Sequence, residues 1–305
     1  MSSIEYAIIV KDATRLEQLI ERFNTKGQAR FYLENQGGDF GSYEREHELF
    51  YRTLDAVQQR LHGVLKTKLL ARHHLPNFLF TAQMLVIVVG RDGLVANAAK
   101  YVGAAPVIGI NPDPTCYTGV LLPFRAEDFI EAVRAVLSQR AIYQQARFAE
   151  ATLSDGQRLL GFNDLFIGAR THVSARYKIR YNQQEEQHSS SGIIVSTEAG
   201  ATGWLSSLYN MLDGLAGRGR LQIPRLLPKA EELIFAVREP YRSANTGCGI
   251  VAGRLHRHLP LVLESLMPTG GVIFSDGIEA DFLEFNSGAI ATIGISTEYA
   301  RLVRH

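Results

Sequence analysis

The stretch Met84-Leu-Val-Ile-Val-Val-Gly-Arg-Asp-Gly93 constrains the fold of this chain more than any other. Its apolar run stops abruptly at Gly90-Arg91-Asp92-Gly93, and Leu94-Val-Ala-Asn-Ala-Ala-Lys100 then reads as helix. Short, uniformly apolar runs of this kind are strands buried on both faces. The order is therefore a buried strand, a Gly-flanked acidic turn and a helix N-terminus. Such a terminus presents free backbone N–H groups and a partial positive charge, which suit phosphate. A carboxylate there is placed to take a proton from a hydroxyl or to help hold a metal ion. The pattern points to phosphoryl transfer, although by itself it also fits an ordinary strand-to-helix turn.

The rest of the first half repeats the alternation. Tyr6-Ala-Ile-Ile-Val10 reads as a short buried strand. A helix follows, with Thr14 and Glu17 able to form a capping box and Leu16, Leu19, Ile20 and Phe23 on one face. Asn35 to Ser42 reads as a loop, and Tyr43 to about Leu70 as one long amphipathic helix. Pro106-Val-Ile-Gly-Ile110 is a third strand, and Glu127–Leu137 a helix. This predicts a parallel sheet covered by helices, a Rossmann-like α/β domain over 1–138. Ligands of such sheets sit at the carboxyl ends of strands, where Asp92 and Asn111 fall.

Beyond residue 138 the period changes. Val173, Ala175, Tyr177, Ile179 and Tyr181 alternate with Ser174, Arg176, Lys178 and Arg180, the signature of a half-exposed antiparallel strand. The three basic residues read most simply as its solvated side. Further strands are predicted at Ile193–Val195, Glu232–Val237, Leu261–Leu263, Val272–Phe274, Phe282–Phe285 and Ile290–Ile295. Residues 139–305 thus form a mostly β, sandwich-like domain, whose tail can return to the first domain.

Bulk properties exclude several classes. Lys plus Arg (32) nearly cancels Asp plus Glu (31), so no overall field favours nucleic acid or an anionic membrane. Cys116 and Cys248 are the only cysteines, too few for a disulfide framework or a thiolate zinc site. Met1-Ser-Ser-Ile-Glu-Tyr6 has no signal-peptide features, and no apolar run approaches the roughly 20 residues of a membrane helix, so a cytoplasmic location is expected. His73-His74 has no carboxylate or thiol at ligand spacing and reads as surface; Gly37-Gly-Asp39 follows no apolar strand and reads as a loop. Trp204 suits either core or pocket wall. Neither a Walker loop nor a GxGxxG fingerprint is present.

Five blocks in order resemble the NAD kinase family, whose superfamily includes diacylglycerol, sphingosine and phosphofructokinases. Gly90-Arg91-Asp92-Gly93 is similar to the family's GGDG turn, and Pro106-Val-Ile-Gly-Ile-Asn111 to its following strand. Asn163-Asp164 is similar to its Asn-Glu/Asp pair, and Thr197-Glu-Ala-Gly-Ala201 to its Thr-x-Thr-Gly-Ser motif; Asp276-Gly277 matches a late Asp-Gly. Asn111-Pro-Asp-Pro114 leading to Leu121-Leu-Pro123, Ser190-Ser-Gly192 and Trp204 resemble the mitochondrial-type branch. The resemblance implies a dinucleotide held by an α/β and a β-sandwich-like domain, and homodimers. It implies that Asp92 is the base that deprotonates the adenosine ribose 2′-hydroxyl of NAD as it attacks ATP, giving NADP. Mg²⁺ would enter with ATP, bound through phosphates and waters. By the same resemblance Gly90, Arg91, Gly93 and Asn111 belong to the nucleotide-binding set, with Gly93 letting the backbone approach the ligand closely, Asn163 and Asp164 hold ribose or adenine, and Thr197, Gly200 and Thr202 match positions that line the NAD pocket. No protein metal ligand set is implied.

The chain departs from the pattern at identifiable positions. Arg91 stands where the family has glycine: if that position needs φ > 0, a side chain costs roughly 1–2 kcal/mol. Its guanidinium beside Asp92 would also make the carboxylate a poorer base, unless Arg91 points at phosphate. Leu94 replaces a usual Thr, and Glu198, Ala199 and Ala201 alter the Thr-x-Thr-Gly-Ser stretch. These departures keep two rivals open: an NAD(P)-binding paralogue with little or no turnover, and a related kinase for another hydroxyl acceptor.

Overall fold

The computed structural model describes residues 4–217, Gly219, Leu226 and 231–305; Met1 to Ser3, at the head of the segment inspected for a signal, lie outside these. The chain divides into two compact units, Met1–Gln145 with Ala300–His305, and Ala146–Tyr299.

The first unit contains β1 (Tyr6–Lys11), α1 (Arg15–Phe23), α2 (Lys26–Asn35), α3 (Phe40–Leu61), β2 (Lys66–Ala71), β3 (Met84–Val89), α4 (Asp92–Ala99), β4 (Pro106–Ile110) and α5 (Phe129–Leu137). Its sheet runs β2-β1-β3-β4 and is parallel throughout: Ile8 lies beside Val86, and Val86 beside Val107. β3 and β4 are buried almost completely, as their unbroken apolar sequences require. Phe50, Leu54, Val57 and Leu61 of α3 and Phe129, Val133 and Val136 of α5 cover one face, packing on Ile9, Leu85, Ile87 and Ile108. Thr14 caps α1 through the capping box read from sequence. The long helix expected from Tyr43 to about Leu70 ends instead at Leu61. Gly63 adopts φ 80°, a left-handed conformation that stops a helix, and the chain then forms β2. β2 is an edge strand whose first four residues are exposed, so it lacks the apolar run that reveals an interior strand. α2, capped by Thr25, occupies a stretch in which the sequence reading placed no element.

The second unit is built from β5 (Ile142–Leu153), β6 (Arg158–Gly161), β7 (Asp164–Ala169), β8 (Ala175–Tyr181), β9 (Gln184–Ser190), β10 (Ile193–Ser196), α6 (Trp204–Ala216), β11 (Glu232–Val237), β12 (Ala252–His256), β13 (Leu261–Ser265), β14 (Gly271–Ser275), β15 (Ile278–Glu284) and β16 (Ile290–Arg304). One antiparallel sheet runs β12-β11-β10-β7-β14-β15, while β13 pairs antiparallel with β16 and β8, and β8 with β9. Ile167, Val195, Phe235 and Ile273 from the first sheet share one core with Tyr177, Ile179, Leu263 and Ile293 from the second set, which makes a sandwich. β8 alternates buried and exposed as its sequence demands, and Lys178 and Arg180 on its outer side pair with Glu264 across the ladder. β9, Gln-Glu-Glu-Gln-His-Ser-Ser, has no apolar pattern and exists through its pairing with β8. β16 extends well past the predicted Ile295; its last residues, from Ala300, belong to the first unit, where Arg301–Leu302 pair parallel with Pro106–Val107 of β4.

Candidate functional site

In the first unit the Gly90–Gly93 turn leads from β3 into α4, with Asp92 as the first helical residue. Leu94 N–H closes that first turn on Arg91 O at 2.9 Å, while the Asp92 and Gly93 N–H groups have no acceptor among the described residues. A Cβ built on Gly90 would press on Leu94 at 3.0 Å, whereas the space over Gly93 is open for 4 Å. Asp92 is half-buried, and its Oδ1 accepts the Leu121 backbone N–H at 2.7 Å. Its Oδ2 accepts no hydrogen bond among the described residues. A carboxylate held on one side and uncommitted on the other can receive a proton.

Arg91 behaves differently from both sequence expectations. Its φ is −112°, an ordinary extended value, so the position carries no left-handed strain. Its guanidinium turns away from Asp92: Nη2 donates to Glu46 Oε1 at 2.9 Å, and the cation lies 4.9 Å from the centre of the Tyr117 ring. Glu46, on α3, also pairs with Arg15. Arg304, on the end of β16, is near enough to Asp92 for the two charges to interact. Burial lowers the Arg304 pKa, and the charge of Asp92 partly counters that.

Asn111, buried at the end of β4, spends its side chain on its own loop: Nδ2 donates to Tyr117 O at 3.0 Å and Oδ1 accepts from Asp113 N at 3.0 Å. It also lines a cleft of about 1120 Å³ between α3 and the segments 111–117 and 125–128. Arg15, Arg45, Arg52 and Arg125 face this cleft together with Glu46, Asp113, Glu127 and Asp128, so its charges balance.

The second unit gathers the remaining predicted residues around one carboxylate that the sequence reading did not single out as a site residue. Asp276, at φ 54° in the turn before Gly277, accepts the backbone N–H groups of Phe162, Asn163 and Asp164 at 3.1, 2.6 and 3.3 Å. Thr197 is buried, and its hydroxyl donates to Phe162 O at 2.6 Å while accepting from Gly200 N at 3.3 Å. A Cβ on Gly200 would stand 2.0 Å from Asn163 O, so only glycine lets the two turns meet. The cluster leaves the Asn163 amide and the exposed Thr202 hydroxyl without a hydrogen-bonding partner among the described residues, one donor–acceptor pair and one hydroxyl for a ligand. Asp164 is buried beside them, and Glu198 is exposed. Trp204 is both core and wall: it stacks on Phe166 at 5.6 Å and 8°, lies under the Arg238 cation, and lines a cavity of about 580 Å³.

The structure thus brings Asp92, Arg91 and Asn111 together in one unit, and Asn163, Asp164, Thr197, Gly200 and Thr202 in the other. Glu46, Tyr117 and Arg304 carried no local sequence signal, because each reaches the turn from a distant part of the chain; Leu121 had one only as part of Leu121-Leu-Pro123, which says nothing of its amide. Asp276 had one, the Asp-Gly pair, which favours a tight turn. His73 and His74 are exposed, and Cys116 is exposed as well.

No protein-family model matches the chain, and no curated protein matches it in sequence. Solved structures do match. The fold is similar to that of an NAD kinase from Archaeoglobus fulgidus in complex with ATP, with TM-score 0.57 and 19% identity, covering 98% of this chain and 93% of that one. It is similar also to yeast NADH kinase complexed with NADH, with TM-score 0.58 and 12% identity, covering 100% and 84%. The chain has the two-domain fold of these kinases, an α/β unit and an antiparallel β unit.

Proposed function

We propose that this protein is an ATP-dependent NAD kinase of the mitochondrial type, which phosphorylates the adenosine ribose 2′-hydroxyl of NAD to give NADP. The observation that carries the reading is Asp92: its carboxylate stands at the first residue of α4, fixed by Leu121 N–H through one oxygen and, among the described residues, uncommitted at the other. In this reading Oδ2 takes the hydroxyl proton as the 2′-oxygen bonds to the γ-phosphorus, and ADP leaves with the electrons of the broken P–O bond. The free N–H groups of the α4 terminus meet the phosphates. The Asn163 amide holds the adenosine part by donating and accepting. Mg²⁺ arrives on ATP as part of the substrate. Among the described residues no three His, Cys, Asp or Glu side chains converge to hold a metal.

The experiment is NADP formation by purified protein with MgATP and NAD or NADH. Asp92→Asn keeps an acceptor for Leu121 N–H but removes the base, and lowers kcat by about 10²–10⁴-fold. Wild-type turnover equal to that of the variant overturns the reading. A second reading, an NAD(P)-binding protein without turnover, draws on Arg91, which stands in the turn and is engaged by Glu46 and Tyr117. Tight NAD binding in calorimetry, with no NADP formed by wild type or Arg91→Gly, would establish it.

A further inference from the structure

The orientation of the Asp92 carboxylate depends on one amide, Leu121 N–H, so whatever fixes Leu121 fixes the base. Leu121 lies in a turn closed by Leu122 N–H to Gly119 O at 3.1 Å. Its carbonyl rests on β4, where a Cβ at Gly109 would come within 2.1 Å of it. The two residues that hold this turn from outside are both at the end of β16. Arg304 Nη1 donates to Val120 O at 2.8 Å, and its Nε and Nη2 donate to Gln144 Oε1, the former at 2.7 Å. His305 Nε2 donates to Pro123 O at 2.8 Å, with its ring 4.4 Å from that of Phe124. Val120, just before Leu121, and Pro123, two residues after it, are thus tied to the last residue of β16 and to the residue that follows it.

We propose that Arg304 is a positioning residue for Asp92: by holding the Val120 carbonyl it sets the Leu121 amide that orients the carboxylate. This rests on the reading of Asp92 as the base. The guanidinium is suited to the task because its planar fork spans two acceptors at once, which a lysine ammonium cannot do with the same rigidity. It also faces the Asp92 carboxylate electrostatically, so its loss removes a counter-charge together with the tie. Arg304 itself lies behind the turn and donates to no substrate in this scheme. Its removal therefore acts on placement, where a misplacement of about 1 Å costs up to about 10²-fold in rate.

The test uses the full chain with ¹⁵N-labelled leucine and the variants Arg304→Gln, Arg304→Lys and, as a control on the same strand, Arg301→Gln. Arg301 donates to Ala104 O at 3.3 Å and stacks on Tyr143, away from the turn. In Arg304→Gln the Leu121 amide resonance moves in the same direction as in Asp92→Asn. In that variant kcat falls about 10- to 100-fold, while the KM for NAD and for ATP stays within about twofold. Arg304→Lys recovers part of both changes, and Arg301→Gln shows neither. A folded Arg304→Gln protein with an unmoved Leu121 resonance and wild-type kcat overturns the proposal, as does an equal loss in Arg301→Gln. Should wild type make no NADP while the Leu121 resonance still follows Arg304, the kinase reading fails and the positioning of Asp92 by Arg304 stands.

Discussion

Asp92 in the α/β unit and Asp276 in the β unit are both carboxylates at tight turns, and their surroundings give them opposite tasks. Asp276 accepts three consecutive backbone N–H groups, from Phe162 to Asp164, and so builds the turn that presents Asn163. Asp92 accepts one, from Leu121, and its other oxygen accepts none among the described residues. Glu186 repeats the Asp276 arrangement elsewhere in the β unit, taking Gly249 N–H, Ile250 N–H and the His188 ring. A carboxylate saturated by backbone donors is scaffold, since protonating it would strand them. One that retains acceptor capacity in an open turn can do chemistry. The lesson is that the two acids are told apart by how many donors fold back onto them.

The contrast can be broken most forcefully by crowding each turn with one methyl group. Gly109→Ala pushes on Leu121 O from 2.1 Å, and Gly200→Ala on Asn163 O from 2.0 Å. If Asp92 is the base proposed above, the first should lower kcat by about 10- to 100-fold through its displacement. The second should raise the KM for NAD with a smaller change in kcat. Steady-state kinetics on both variants checks this, and equal effects on the same constant would erase the distinction.

Next in size, Asp276→Ala strands three N–H groups, each worth about 1–3 kcal/mol when buried without an acceptor. Urea unfolding should show at least about 2 kcal/mol lost. Asp276→Asn, whose amide oxygen still accepts and which tolerates positive φ, should recover much of it. A smaller, pH-dependent effect belongs to Glu186. Burial raises its pKa, but the His188 contact and the Ile250 and Gly249 amides outweigh that and hold it below the ordinary value. A depressed carboxyl stabilises the fold above its unfolded pKa and loses that contribution as pH falls through the folded one. Thermal melts from pH 6 downward should therefore decline less steeply for Glu186→Gln than for wild type. The smallest effect is expected for Arg91→Gly. The Arg91–Glu46 pair is exposed on the arginine side, so its loss should change stability by less than about 1 kcal/mol. Circular dichroism melts test that figure.

Much of the architecture could be read before any coordinates. The uniform apolar runs of β3 and β4 and the strict alternation of β8 are direct consequences of burial on two faces or one, and they separate the α/β half from the β half. The capping box of α1 is equally local. Edge strands were harder. β2 and β9 carry polar or exposed residues because solvent covers them, and only pairing with β1 and β8 makes them strands.

What the sequence by itself determined is where the candidate site residues fall along the chain. An acidic turn after a buried strand places Asp92 at a helix N-terminus, and Asn163-Asp164 and Thr197 to Gly200 fall at turns whatever surrounds them. Only the tertiary structure decided which atoms remain available there. It gave the Thr197 hydroxyl and the Asn111 amide to the backbone, left the Asn163 amide without a partner among the described residues, turned Arg91 toward Glu46, and brought Arg304 from the last strand to the carbonyl before Leu121. The physical reason is range: hydrophobic period and turn chemistry act over a few residues, whereas the donors that saturate or orient a polar group here come from up to 184 positions away.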